Sequence, residues 1–248
     1  MLRSMDSLMG YSVVAIDGEV GEVGDFLFDD QEWIIRYLVV ETGSWFLGEE
    51  KLLAPIALKK PQWEHETFPV NLNRSQVKDS PNIASDQPIS RQEEIKLFEH
   101  YSWEPYWAPS QIAPSPAAVP PSTFEQGESP EVKSGNPNLR SMDEVRGYSA
   151  SAADGEVGEV SDLICQDDEW SVRYIVIHTG DWLSDREIII SPEWINTISW
   201  SKGSVLIDLN RSQIENSPAY DPSQPVGRRY ETRLYDYYER PIYWEESE

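Results

Sequence analysis

The chain has 248 residues, a formal net charge of −24 and one cysteine. The length suits one large or two ordinary domains, and 20 Lys plus Arg against 44 Asp plus Glu leaves no basic face for phosphates. Nucleic-acid binding and docking onto an anionic membrane are therefore excluded, as is an internal disulfide. No apolar stretch approaches the ~20 residues that span a bilayer, and the N-terminal text has no signal-type segment. A soluble, cytoplasmic, acidic protein with no membrane insertion is expected.

In chain order, Tyr11–Ile16, Val20–Phe28 and Trp33–Glu41 read as strands, with turns at Asp17-Gly18 and Asp29–Gln31. Asp-Gly between β-type runs is a hairpin signal, because Gly tolerates the positive φ of a tight turn. Lys51–Leu58, Gln62–Glu64 and Phe68–Leu72 complete six short strands. The run from Ile34 to Val40 is apolar at nearly every position, which suits a strand curled into a small barrel more than one on a half-exposed sheet. Asn73-Arg74-Ser75-Gln76 opens a short helix. Ser90 and Glu93 have capping-box spacing for a second helix reaching about Tyr101, followed by the aromatic text Trp103, Tyr106 and Trp107.

The whole pattern then recurs. Leu2-Arg3-Ser4-Met5-Asp6 returns as Leu139-Arg140-Ser141-Met142-Asp143, Asp17 to Val23 as Asp154 to Val160, and Tyr106-Trp107 as Tyr243-Trp244. The match has no gap and is identical at about 40% of roughly 106 positions, a length typical of one domain. Expected strands in the second copy are Tyr148–Ala153, Val157–Cys165, Trp170–His178, Glu187–Ile190, Trp194–Trp200 and Ser204–Leu209. The domains are therefore 1–107 and 139–248, and the Pro-rich stretch 108–138 is a linker. The charge divides as −10, −2 and −12 over these three segments, so acidity belongs to the repeat and not to a tail.

The residues resemble the PRC-barrel domain, the unit found in the cytoplasmic part of the photosynthetic reaction-centre H subunit and in the ribosome-maturation factor RimM. The resemblance rests on Gly10, Asp17 to Asp25, Trp33 to Val40 and Pro55, and again on Gly147, Asp154 to Asp162, Trp170 to Ile177 and Pro192. The tails from Asn216 to Asp221 and from Arg233 to Tyr238 are similar to those of stand-alone bacterial members. It implies a mainly β fold of two tandem six-stranded barrels, each followed by short helices and an aromatic tail, with a tendency to dock onto other proteins. Fold does not carry function with it.

Chemistry is sparse. His65, His100 and His178 have Lys202, Tyr237 and Glu41 as counterparts, so the shared fold requires none of them. Cys165 stands where the first copy has Phe28, which marks it as a small buried hydrophobe. The acidic turns at Asp29-Asp30 and Asp167-Asp168 lack the Gly and terminal Glu of a twelve-residue calcium loop and read as solvated turns. No catalytic, cofactor or metal residues are expected, and the chain reads as no enzyme. If Asp30-Gln31 is a two-residue turn, Asp25 faces Arg36 across the hairpin, and structural ion pairs are expected at Asp25–Arg36 and Asp162–Arg173. Trp45 and Phe46, with Trp182 and Leu183, follow Thr-Gly in loops, where they read either as a flap covering the barrel end or as a docking surface, and they are the candidate partner-binding residues. Duplication in one chain points to an internal pseudo-dimer and leaves further homo-oligomerisation open. The leading expectation is a non-catalytic scaffold docking a protein partner. Next comes an acidic small-ligand or cation binder, and third, by family analogy, a reaction-centre-associated role.

Overall fold

The computed structural model describes residues 1–43, 49–83, 89–107, 136–180 and 185–244. The first repeat carries β1 (Leu2–Ser4), β2 (Ser12–Ala15), β3 (Gly18–Asp29), β4 (Ile34–Glu41), β5 (Glu50–Leu53) and β6 (Thr67–Pro69), then α1 (Arg74–Lys78) and α2 (Arg91–Tyr101). The second carries β7 (Leu139–Ser141), α3 (Met142–Val145), β8 (Ser149–Ala152), β9 (Gly155–Gln166), β10 (Ser171–His178), β11 (Glu187–Ile190), β12 (Ile195–Ser199) and β13 (Ser204–Ile207). It ends in α4 (Arg211–Glu215) and α5 (Arg228–Tyr238). The chain is mainly β, as expected, and each repeat curls a small mixed sheet around an apolar interior.

Local chemistry accounts for the elements. The Asp17-Gly18 and Asp154-Gly155 turns join the first hairpins, and each Asp carboxylate then caps the following short helix by accepting from Arg74 N or Arg211 N, both at 2.7 Å. Gly21 and Gly158 are needed where β3 and β9 bend across a neighbouring backbone. A Cβ there would lie 2.2 Å from Glu41 O or 2.0 Å from His178 O. Ser90 and Glu93 form the expected capping box on α2, whereas α5 starts at Gly227 without a side-chain cap. The strand expected at Gln62–Glu64 is instead a 3-10 turn, Trp63–His65, held to the sheet by a single bridge between Gln62 and Thr67. The same 3-10 turn recurs at Trp200–Lys202 and so belongs to the repeat, while Pro61, standing where β12 has Ile198, has no N–H to extend a strand before it.

The two repeats do not sit side by side as separate beads. β1 leaves its own repeat and pairs antiparallel with β9, with Leu2, Arg3 and Ser4 opposite Gln166, Cys165 and Ile164. β7 does the same to β3, with Leu139, Arg140 and Ser141 opposite Asp29, Phe28 and Leu27. Each repeat thus lends its first strand to the other, in the same register. Between the barrels β4 meets β10 antiparallel at Ile34 and Ser171, and Ile35 N and Val172 N donate to Trp170 O and Trp33 O, both at 2.7 Å. These residues are one another's counterparts in the two copies, so a pseudo-two-fold axis passes through the contact. Trp170 crosses it to stack on Phe26 and Phe68, at 6.5 and 5.6 Å between ring centroids.

Candidate functional site

The hairpin of β3 and β4 differs from expectation. Asp29 pairs with Ile34, so the turn holds four residues and not two, and Asp29 Oδ1 accepts from Gln31 N at 2.9 Å and Glu32 N at 3.1 Å. Two residues further on, the register slips between Leu27↔Tyr37 and Phe28↔Ile35, which makes Arg36 the bulged residue. Asp25 consequently faces Val39. The Asp25–Arg36 and Asp162–Arg173 ion pairs do not form. Arg36 instead meets Glu32 at 2.5 Å and Asp29 at 3.9 Å, and Arg173, bulged in the same way, meets Glu169 at 2.7 Å.

Asp25 and Asp162 serve the exchanged arms. Asp162 Oδ2 accepts from Ser4 Oγ at 2.6 Å, and its Oδ1 from Asp6 N at 2.9 Å and its neighbour Leu163 N at 2.7 Å. Asp25 repeats this with Ser141 Oγ at 2.5 Å, Asp143 N at 3.2 Å and Phe26 N at 2.7 Å. Burial raises both carboxyls, Asp162 to about 6, with the nearby Asp6 adding to the rise. The acidic turns complete the joints. Asp30 Oδ2 accepts from Arg140 Nε at 2.9 Å, and Asp167 Oδ2 from Arg3 Nε at 3.3 Å. The two guanidiniums lie over Trp200 and Trp63, at 4.5 and 4.1 Å from the ring centroids.

A second constellation appears once in each repeat. Glu94 on α2 is fully buried, and its Oε1 accepts from Tyr37 Oη of β4 at 2.7 Å and Tyr106 Oη of the aromatic tail at 2.8 Å. Arg91 reaches its Oε2 at 2.7 Å. Glu231 repeats the set with Tyr174 and Tyr243, both at 2.8 Å, and with Arg228 at 3.1 Å. Above the carboxylates the arginines and tail rings interleave: Arg36 over Tyr106 and Arg91 over Trp107, both at 4.1 Å, matched by Arg173 over Tyr243 at 4.5 Å and Arg228 over Trp244 at 4.1 Å. Burial lifts the Glu94 carboxyl and also the Tyr37 and Tyr174 hydroxyls. Two hydroxyl donors and a guanidinium on one buried carboxylate make a clamp that fastens helix, strand and tail together. Sequence reasoning missed Glu94 and Glu231. The available signal was an acid kept at one position of an otherwise apolar helix face in both copies.

An open cleft of about 660 Å³ in the second repeat is lined by Glu156, Glu159, Arg211 and His178, with Asp185 3.0 Å from His178 Nε2. Cys165 is buried, as expected, and burial pushes its thiol up. Among the described residues no group of three or more His, Cys, Asp or Glu stands together as a metal site, and no helix is long and apolar enough to cross a membrane. Trp45, Phe46, Trp182 and Leu183 lie outside the described residues.

Fold and joints together define a class: a duplicated small-barrel protein whose halves exchange their first strands. The PRC-barrel domain matches residues 3–65 and 139–214, more than half the chain, and the chain belongs to that family. No curated protein matches it.

Proposed function

We propose that this chain is a non-catalytic scaffold whose two barrels dock a protein partner as one bivalent unit. The observation that carries this reading is the reciprocal exchange of β1 and β7, with the β4–β10 contact between them. It presents each barrel surface twice, in one fixed relation. Two sites held at fixed spacing turn the second binding event into an intramolecular one and raise avidity without new contacts. The shell of −24 favours partners with basic faces and speeds their encounter. On this reading the protein works in the cytoplasm, and its docking residues are Trp45 and Phe46 with Trp182 and Leu183.

The test is cross-linked capture of the partner with the full chain, followed by affinity measurement on Trp45→Ala, Trp182→Ala and the double variant. Each single variant is expected to lose at least tenfold in affinity and the double variant to lose binding altogether. Wild-type affinity in all three would contradict the assignment. The cleft at Glu156, Glu159 and His178 favours a second reading, an acidic small-ligand or cation binder. Calorimetry with Ca²⁺ and a thermal-shift ligand screen read that alternative directly, because specific binding raises stability by mass action. A reaction-centre-associated role rests on family analogy alone and stands third.

A further inference from the structure

The arms that cross between the repeats are identical over Leu2–Asp6 and Leu139–Asp143. Each receptor that holds them is built in the same way. It offers three residues of strand edge, an aspartate that accepts from the arm serine, and a turn aspartate that meets the arm arginine. The methionine that follows the paired strand in each arm is sunk in the core, with Met5 fully buried and Met142 at 2% exposure. The receptor on β9 meets Leu-Arg-Ser-Met-Asp in the same way whichever chain supplies it, and the arm of residues 2–6 adds the Met1 ammonium on Asp167 Oδ1 at 2.5 Å and Asp6 on Arg146 at 2.6 Å.

The arms also have a place to swing. Gly10 and Gly147 join arm to barrel at φ +76° and +86°, in the left-handed region that glycine enters without strain, and a Cβ at either would meet nothing within 4 Å. Gly10 N and Gly147 N are bonded to Val23 O and Val160 O, both at 2.8 Å, so an arm that leaves must part from its barrel at these glycines and take the buried Leu8 or Val145 with it.

We propose that each receptor is a homotypic docking site, and that two copies of this chain assemble by trading Leu-Arg-Ser-Met-Asp arms. The occupant is a second copy, recognised by strand addition to the edge of β3 or β9, with the buried methionine as anchor and the Ser–Asp bond setting register. Because traded and retained arms make the same contacts, the exchange conserves strand pairing and burial. Its equilibrium is set chiefly by concentration and by the association entropy of two chains. The proposal is independent of any scaffold role, since it needs no other protein.

Two full-length preparations, one labelled with nitrogen-15, are mixed at high concentration, loosened briefly in urea below the unfolding midpoint and returned to buffer. Native mass spectrometry is the readout. The expected result is a dimer of intermediate mass that falls at least tenfold when a synthetic peptide of residues 1–10 is present in excess. A peptide of residues 139–147 should also compete, because it carries the same Leu-Arg-Ser-Met-Asp arm, though less well at β9, where it lacks the Met1 ammonium that meets Asp167. The same peptide of residues 1–10 with Met5→Asp should not compete. The competition needs no altered protein, so a folding failure cannot imitate it. Only monomer masses at every concentration, or mixed dimers that neither arm peptide displaces, would overturn the proposal.

Discussion

Ser141 and Asp25 lie 116 positions apart in the chain and are joined by a hydrogen bond of 2.5 Å, Ser141 Oγ donating to Asp25 Oδ2. Ser4 and Asp162 make the same bond at 2.6 Å across the other joint. Each aspartate also gathers two backbone N–H groups, so a single carboxylate fixes an arm, its turn and the strand beneath it.

Removing that acceptor should cost more than removing one donor. Asp25→Ala leaves Ser141 Oγ, Asp143 N and Phe26 N without their partner, whereas Ser141→Ala removes one bond. An unmet buried group costs about 1–3 kcal/mol and a lost bond to a charged acceptor about 1.5–3 kcal/mol. Urea unfolding of both single variants and the double should show the alanine at position 25 as the worse, with the pair coupled and non-additive.

Asp162 makes the joint sensitive to pH. Its carboxyl stands at about 6 against an ordinary 3.8, chiefly through burial. A raised carboxyl favours the protonated fold, so this contribution is complete below the ordinary value and is lost as pH rises through about 6. Tm should be higher at pH 5 than at pH 7.5. Relief of repulsion in the acidic shell acts in the same direction, so the diagnostic is Asp162→Asn, which should shrink the difference. An unchanged difference would assign the whole effect to the shell.

The Glu94 clamp should behave as one unit. Glu94→Ala strips a buried carboxylate from Arg91, Tyr37 and Tyr106, and breaking a buried pair costs about 3–5 kcal/mol. Tyr37→Phe, which keeps the ring and loses one bond, should cost about 1.5–3 kcal/mol. Denaturant unfolding gives both values. Fluorescence of Trp103 and Trp107 tells whether the tail has come away from the barrel.

Gly158→Ala places a Cβ 2.0 Å from His178 O, against backbone that cannot rotate aside. Gly43→Ala, where a Cβ meets nothing within 4 Å, is the control. Thermal unfolding should show a large loss at position 158 and a small change at position 43.

The duplication, the Asp-Gly hairpins and the capped helices were legible because each is carried by neighbouring residues at fixed spacing. Arg36 was not, because its bulge depends on how many residues the turn at Asp29 holds, and Asp29 closes a four-residue turn through its own side chain. The arms were visible as the most faithful part of the repeat, yet three residues carry too little periodicity to read as a strand. Their partner strands lie more than 100 residues away. Glu94 looked like an ordinary helical acid, since its hydroxyl donors arrive from β4 and from the tail and only the fold brings them together.

Reciprocal arm exchange makes the two repeats one body. The most direct measurement is cleavage of the full chain at a protease site placed within residues 108–135, followed by native mass spectrometry and denaturant unfolding. Interlocked halves should stay paired after the cut and unfold in a single transition whose midpoint rises with concentration. Halves that separate into stable monomers, each with its own concentration-independent transition, would contradict it.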